Sequence, residues 1–287
     1  MPSFRWSCEI FKAGLFGAIG AALTVHLNPV LPPKHIESVS AAQVVPPTLP
    51  SNVTPMETDS VKSLGLPLSG HLRVFDGYVC AYDRRLRIPH WVLEHLTPAK
   101  LSGQSSLDAV DRKQFDFYED LGELEIFRAS NKDYFGSGYD RGHMAAAGNH
   151  RFERSAMAQT FILSNIAPQV GHGFNRHAWN DLEKCVRAIA RKAHNVVVVT
   201  GPLFLPRMEG GKRRVTYEVI GPNDVAVPTH FFKAVAIQET PDGGWRSVAW
   251  VMPNMQLPEK VNLKQFQVPL STVERAAGLK IFPNLVT

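Results

Sequence analysis

The chain has 287 residues, 44% hydrophobic and 20% charged, with 31 Lys and Arg against 26 Asp and Glu for a net charge of +5. That balance suits one large globular domain or two small ones and excludes collagen-like, coiled-coil and wholly disordered chains. The basic excess permits a polyanionic partner without requiring one, and three cysteines (Cys8, Cys80 and Cys185) are too few for a disulfide framework.

No charged residue occurs between Lys12 and Lys34, and Ala13 to Leu27 is almost continuously apolar. The run is short of the roughly 20 residues of a spanning helix. Continued toward Leu31 it just reaches, although Pro29, Pro32 and Pro33 oppose that. Three readings fit: a secretory signal peptide, a mitochondrial import signal with a hydrophobic sorting stretch, and a short uncleaved anchor. Residues 1–27 are expected to be a targeting or anchor segment, with residues 13–31 as a membrane contact. Between Pro29 and Pro67 lie eight of the 21 prolines, so residues 28–65 are expected to be an extended tether. The folded domain then occupies residues 66–287.

Along that domain, Val74 to Asp83 reads as two strands joined at Asp76-Gly77, and Pro89 to Glu94 as a short strand. A helix is expected over Ala156 to Phe161. A longer helix carries Ala178, Leu182, Cys185, Val186 and Ile189 on one side, with Asp181, Lys184, Arg187, Arg191 and Lys192 opposite. Asn195 to Thr200, with four consecutive valines, reads as a buried strand stopped by Gly201-Pro202. Val215 to Ile220, Thr229 to Gln238 and Trp245 to Met252 read as further strands. Strands dominate and no βαβ rhythm appears. The fold class is α+β, with a central mostly antiparallel sheet and flanking helices.

Polar chemistry concentrates in Tyr139-Asp140-Arg141-Gly142-His143, Gly148-Asn149-His150, Ser164-Asn165, and Asn175, Trp179, Asn180 and Glu183. His143 is a general base for neutral pH, and Arg141 a permanent cation shaped for phosphate oxygens. Asn175, Trp179 and Glu183, four residues apart, share one side of a helix. An amide oxygen with a carboxylate two turns on suits a hard cation that keeps most of its waters, as Mg²⁺ does. Singly, each has a plainer reading: His143 as a structural hydrogen-bonder, Arg141 as a surface ion pair, Asn175 as a helix N-cap, Trp179 as packing, Glu183 as a solvated helix residue. His150, His172, His177 and Cys185 lack zinc-ligand spacing.

Together, the strings DRGHMAAAGNH, FILSNIAPQ and FNRHAWNDLE resemble the DNA/RNA non-specific endonuclease family with its ββα-metal finger. YDRRLRIPHWVLEHLTP, VVVVTGPLFLP, VAVPTHFFK and VERAAGLKIFPNL extend the likeness, toward its eukaryotic mitochondrial endonuclease G branch, over about Leu66 to Asn284. The resemblance implies His143 as general base, Asn175 as the direct ligand of Mg²⁺ (with Mn²⁺ as a substitute), and Glu183 acting through the ion's waters. It implies Arg141 at the phosphate, Asn165 keeping the site polar and ordered near the scissile phosphate, Asp140 orienting its neighbours and Asn149 assisting. It further implies DNA and RNA substrates, a homodimer, and the mitochondrial intermembrane space or inner membrane. Two other readings stand beside it: a secreted scavenging nuclease, and a membrane-tethered nucleic-acid-binding protein without catalysis, served by Arg84, Arg85, Arg87, Arg213 and Arg214.

Overall fold

The computed structural model describes residues 71–102 and 111–285. The expected targeting segment and tether lie outside the described residues. The strands are β1 His71–Val74, β2 Tyr78–Asp83, β3 Ile88–Leu96, β4 Tyr139–His143, β5 Ile166–Val170, β6 Asn195–Leu203 and β7 Arg207–Glu209. They continue with β8 Lys212–Arg214, β9 Val219–Ile220, β10 Val225–Ala226, β11 His230–Gln238, β12 Trp245–Pro253 and β13 Gln267–Val268. The α-helices are α1 Pro98–Ser102, α2 Asn131–Tyr134, α3 Arg154–Gln159, α4 Asn180–Ala190 and α5 Leu270–Ala277.

Seven strands form one antiparallel sheet in the order β1-β2-β3-β6-β11-β12-β13. The valine run of β6 lies near its middle, and every residue of that strand is buried. Val196 and Val198 enter one apolar layer, with Tyr78, Val92, Trp179, Leu182 and Val186. Val197 and Val199 enter the other, with Trp91, Phe232, Val273, Ile281 and Phe282. The first layer lies beneath α4 and the β4–β5 hairpin, the second beneath α5 and the segment that follows it. A strand whose side chains alternate between two dry faces needs no polar positions, which explains four valines in succession.

The structure lengthens or shifts several expected elements. Strand β6 does not stop at Gly201-Pro202 but runs on to Leu203, because β11 pairs with it throughout, His230 opposite Leu203 and Phe232 opposite Gly201. Its pairing with β3 ends at Thr200, so Pro202 falls where one edge carries no ladder and its missing N–H is tolerated. A Cβ on Gly201 would come within 2.6 Å of the His90 carbonyl oxygen and 2.7 Å of the Phe232 ring. Val215 to Ile220 contributes only the two residues of β9. A separate hairpin, β7–β8, precedes it, and residues 215 to 219 are exposed. The short helix begins at Arg154, whose N–H is accepted by the Glu153 carboxylate, rather than at Ala156. Helix α5, which covers the far face, was not expected from the sequence.

The turn between β1 and β2 keeps glycine for a reason of space. A Cβ on Gly77 would lie 2.2 Å from Nδ1 of the buried His150.

Phe282 is 1% exposed, on the face of the sheet opposite the β4–β5 hairpin. Phe282→Ala is expected to cost about 3–5 kcal/mol in urea unfolding while leaving the catalytic rate of the folded protein unchanged. A loss of rate at full stability would place that face in the chemistry.

Candidate active site

Strands β4 and β5 form an antiparallel hairpin with Asp140 opposite Gln169 and His143 opposite Ile166. The chain leaves β5 through a wide, kinked turn, Gly171–Trp179, in which His172 and Gly173 are not helical, and then runs into α4. Gly173 has φ +81°, and a Cβ there would also meet the Leu257 backbone at 2.6 Å, so glycine is required twice over. Two strands and the turn that follows them thus bring Asp140 of the DRGH segment against Asn175, and the helix beyond carries Glu183.

His143 ends β4 and is 7% exposed. Its ring centroid lies 5.2 Å from that of Phe117 and 4.9 Å, edge-on, from that of Phe161. Among the described residues Nε2 has no hydrogen-bond partner. Burial, then the positive charges of Arg112, His150 and Arg141, hold its pKa well below the usual 6.5, so the imidazole is neutral. Gly142 beside it has no room for a side chain: a Cβ would overlap the Gln169 amide at 2.2–2.4 Å.

Asp140 organises the metal-ligand candidate. Its Oδ2 accepts from Asn175 Nδ2 at 2.9 Å and Arg176 Nε at 2.8 Å, and its Oδ1 from Arg176 Nη2 at 2.5 Å. Burial works against the carboxylate, but these bonds outweigh it and hold its pKa below the usual value. Asn175 therefore does not cap a helix with its side chain. Its NH₂ is committed to Asp140, which leaves Oδ1 as the oxygen available to a cation. Arg141 lies 4.4 Å over the Phe117 ring and donates to Asn131 Oδ1 at 2.6 Å. Asn131 is itself anchored through Nδ2 to the Phe117 carbonyl at 2.7 Å.

Asn165 departs from its expected place beside the phosphate. It has no exposed surface, and its side chain is engaged by backbone alone. Oδ1 accepts from Ala145 N (2.8 Å), and Nδ2 donates to the carbonyls of Ala145 (3.1 Å) and Thr160 (2.8 Å). It clamps the loop that follows His143 and has no group left for substrate. Asn149 is likewise occupied. It is 4% exposed, donates to Glu94 Oε1 at 2.8 Å and accepts from Arg187 Nη1 at 3.0 Å.

Asn149 belongs to a buried polar network that the sequence does not announce. Glu94 Oε1 also bonds His150 Nε2 at 3.0 Å. Arg187, expected on the solvent face of its helix, turns inward to Asn149 and lies 3.9 Å from Glu183. Lys233, 2% exposed, donates to Thr200 Oγ1 at 2.6 Å and sits 5.0 Å from the centre of the Trp179 ring. Burial raises the Glu183 pKa and lowers that of Lys233. The two oppose each other's shifts, as opposite charges in one desolvated region do. One signal in the sequence marks this network: Glu94 and Lys233 are lone charges inside otherwise apolar strand segments. His177, dismissed as a zinc ligand, accepts from Gly173 N at 3.0 Å and braces the wide turn.

A neutral buried histidine flanked by arginines and, at the other end of the same strand, an asparagine amide oriented by Asp140 make this region the candidate active site. Residues 58–287 match the DNA/RNA non-specific endonuclease family, and the chain belongs to that family. It is a nuclease, and so a hydrolase. It is 50% identical over 223 residues to the human protein "Endonuclease G, mitochondrial", an alignment covering 77% of this chain and 73% of that protein. Against "Endonuclease G, mitochondrial" of Caenorhabditis elegans the identity is 46% over 232 residues, covering 80% and 74%. Against that of Bos taurus it is 47% over 300 residues, covering 97% and 95%. A solved chain from an EndoG/EndoGI complex superposes with a TM-score of 0.75 at 48% identity, covering 82% of this chain and 95% of the other.

Asn165→Asp would turn a carboxylate toward two carbonyl oxygens that now receive N–H donors. It is expected to lose about 3 kcal/mol or more of stability in urea unfolding, and cleavage with it. Wild-type stability in this variant would show that Asn165 is no clamp.

Proposed function

We propose that this nuclease is a magnesium-dependent, sequence-non-specific endonuclease that leaves 5′-phosphate and 3′-hydroxyl ends on DNA and RNA. The observation that carries the reading is His143, held neutral and buried, with Nε2 unpartnered among the described residues. The donor set fits a hard cation. Among the described residues no group of three or more His, Cys, Asp or Glu forms a metal cage, so a soft or tightly held ion has no site. Asn175 Oδ1 would hold Mg²⁺ directly and Glu183 would hold it through water, with Mn²⁺ as a substitute. An ion held there would supply Lewis-acid compensation for charge growing on the phosphate and the leaving 3′ oxygen.

His143 Nε2 takes a proton from the attacking water, and its neutrality leaves it ready to do so. Arg141 and Arg112 place fixed positive charge around that nitrogen, which both lowers its pKa and suits a phosphate dianion in the transition state. Asp140 keeps Asn175 turned correctly. Asn165 holds the His143 loop, and Asn149 keeps Arg187 beside Glu183. None of these groups reads a base edge or needs a 2′-hydroxyl, which accords with a substrate range spanning DNA and RNA. The relatives' names place them in mitochondria, which supports a mitochondrial location for this chain; the intermembrane space or inner membrane as its place, and a homodimeric state, are part of the proposal.

His143→Ala is expected to lower the cleavage rate on the order of 10²–10⁴-fold with the fold retained, measured by plasmid nicking beside a thermal melt. Near-wild-type cleavage would dismiss the base assignment. In the wild type, the acid limb of kcat/KM should fall below pH 6.5, because the folded imidazole stays neutral there. The sign for stability follows: between its depressed folded value and 6.5 the unfolded chain binds the proton better. His143's contribution is full above 6.5 and drains away as pH drops toward the folded value.

Asn175→Ala is expected to lose cleavage that added Mg²⁺ barely restores, since the ion's position is lost with its affinity. Asn175→Asp should be milder, and Glu183→Gln should retain more activity than Asn175→Ala. A purely helix-capping Asn175 would instead cost about 1 kcal/mol and leave cleavage normal. Rates against Mg²⁺ concentration, taken well below the melting temperatures, decide between them.

A further inference from the structure

We propose that the β7–β8 hairpin is a docking surface for the sugar–phosphate backbone of the substrate, well away from the cleaved bond. The inference rests on the nuclease reading, and adds a second place where this chain holds the polyanion.

The register places Arg207 opposite Arg214, Met208 opposite Arg213, and Glu209 opposite Lys212. Like charges directly across an antiparallel pair, with Cβ atoms about 5 Å apart, destabilise it. The hairpin gains nothing in return from packing. Its strands are three residues each, and Arg207, Met208, Lys212, Arg213 and Arg214 are all exposed. Its one acid, Glu209, is taken by Arg207 and by Thr216 Oγ1 at 3.2 Å. Three consecutive cations, Lys212, Arg213 and Arg214, are left without an ion pair among the described residues. A local choice that disagrees with folding is the mark of a functional one. Gly210 and Gly211 (φ +55° and +75°) close the tip in the tight left-handed turn that suits a short hairpin.

Several of the other arginines are committed to the protein itself. Arg84 pairs with Glu123 and Arg87 donates to the Ile126 carbonyl, both bracing the loop that carries residues 123 and 126. Arg73 is held by Asp120, Arg176 by Asp140 and Arg246 by Glu239. Exposed Met208, Val215, Tyr217 and Val219 flank the cations, but the hairpin itself presents three consecutive positive charges, which favour a polyanion over an apolar partner.

The hairpin is tied to the site. Four residues beyond Arg214, Glu218 Oε2 accepts from the Tyr139 hydroxyl at 2.7 Å, and four residues beyond Tyr139 along β4 is His143. At about 3.3 Å per residue for each stretch, plus the tyrosine and glutamate side chains and the bond between them, Arg214 lies within about 40 Å of His143. At about 3.4 Å per nucleotide that is at most about twelve nucleotides of backbone.

The test compares the full-length wild type with the triple variant Lys212→Ser, Arg213→Ser, Arg214→Ser. Binding to a duplex of about 30 base pairs is measured in EDTA as a function of salt, beside cleavage of that duplex and of an oligonucleotide of about four residues. Duplex affinity should fall by about tenfold or more, and the slope of log K against log salt should shrink by about 0.9 for each phosphate that the variant no longer neutralises. Cleavage of the short oligonucleotide should stay within about twofold, and the melting temperature should hold or rise as the Arg207–Arg214 repulsion is relieved. An unchanged affinity and salt slope overturns the proposal, as does an equal loss on both lengths. A wild type that binds with a steep salt slope but cleaves nothing would fail the nuclease reading instead, since the slope decides the hairpin without any cleavage.

Discussion

Strand β6 has no exposed residue, and both of its faces must therefore be covered. Much of the architecture answers that demand. On one side α5 and the Ile281–Phe282 segment close over Val197 and Val199. On the other, α4 closes over Val196 and Val198 and in doing so carries Glu183 and Arg187 to the interior. The site is thus part of a layer that the core would need in any case. Its precision comes from helix and sheet, which pack without slack.

What the sheet lends to the site is charge as well as rigidity. Glu94 and Lys233 stand on β3 and β11 with their side chains turned into the same side of the sheet as α4, where Glu183 and Arg187 oppose them. Two carboxylates and two cations in a desolvated layer are a poor source of stability, because removal from water costs most of what their attraction returns. They fix an arrangement. Asn149 can satisfy Glu94 and Arg187 together in one orientation, and the loop after His143 is thereby tied to α4.

Around His143 the same few groups serve two ends. Phe117 and Phe161 dry the ring, and Arg112 and Arg141 surround it with positive charge, each stacked on one of those two aromatic rings. Both effects disfavour a protonated imidazole. In the proposed reaction the arginines would also attract the phosphate's negative charge.

The valine run, the Asp-Gly turn and the apolar spacing of α4 were legible because period and punctuation are local properties. The DRGH string and the Asn175-to-Trp179 spacing were legible as family marks because few other families assemble those groups in that order. Other features depended on residues far apart in the chain. That β6 passes through Gly201-Pro202 followed from β3 ending where it does, and Gly77 was needed for the His150 ring, not for its own torsion. Asn165 read as a group that keeps the site polar and ordered; that its side chain bonds backbone alone was not legible, because hydrogen-bond partners twenty residues distant cannot be seen in one dimension. Arg187 read as solvated because helical period says which residues share a side, and not which side a neighbouring loop will cover. Sequence settles what each segment prefers and which chemistry the chain carries; only tertiary packing decides which polar groups remain free to react, since that depends on what every other group has already bonded.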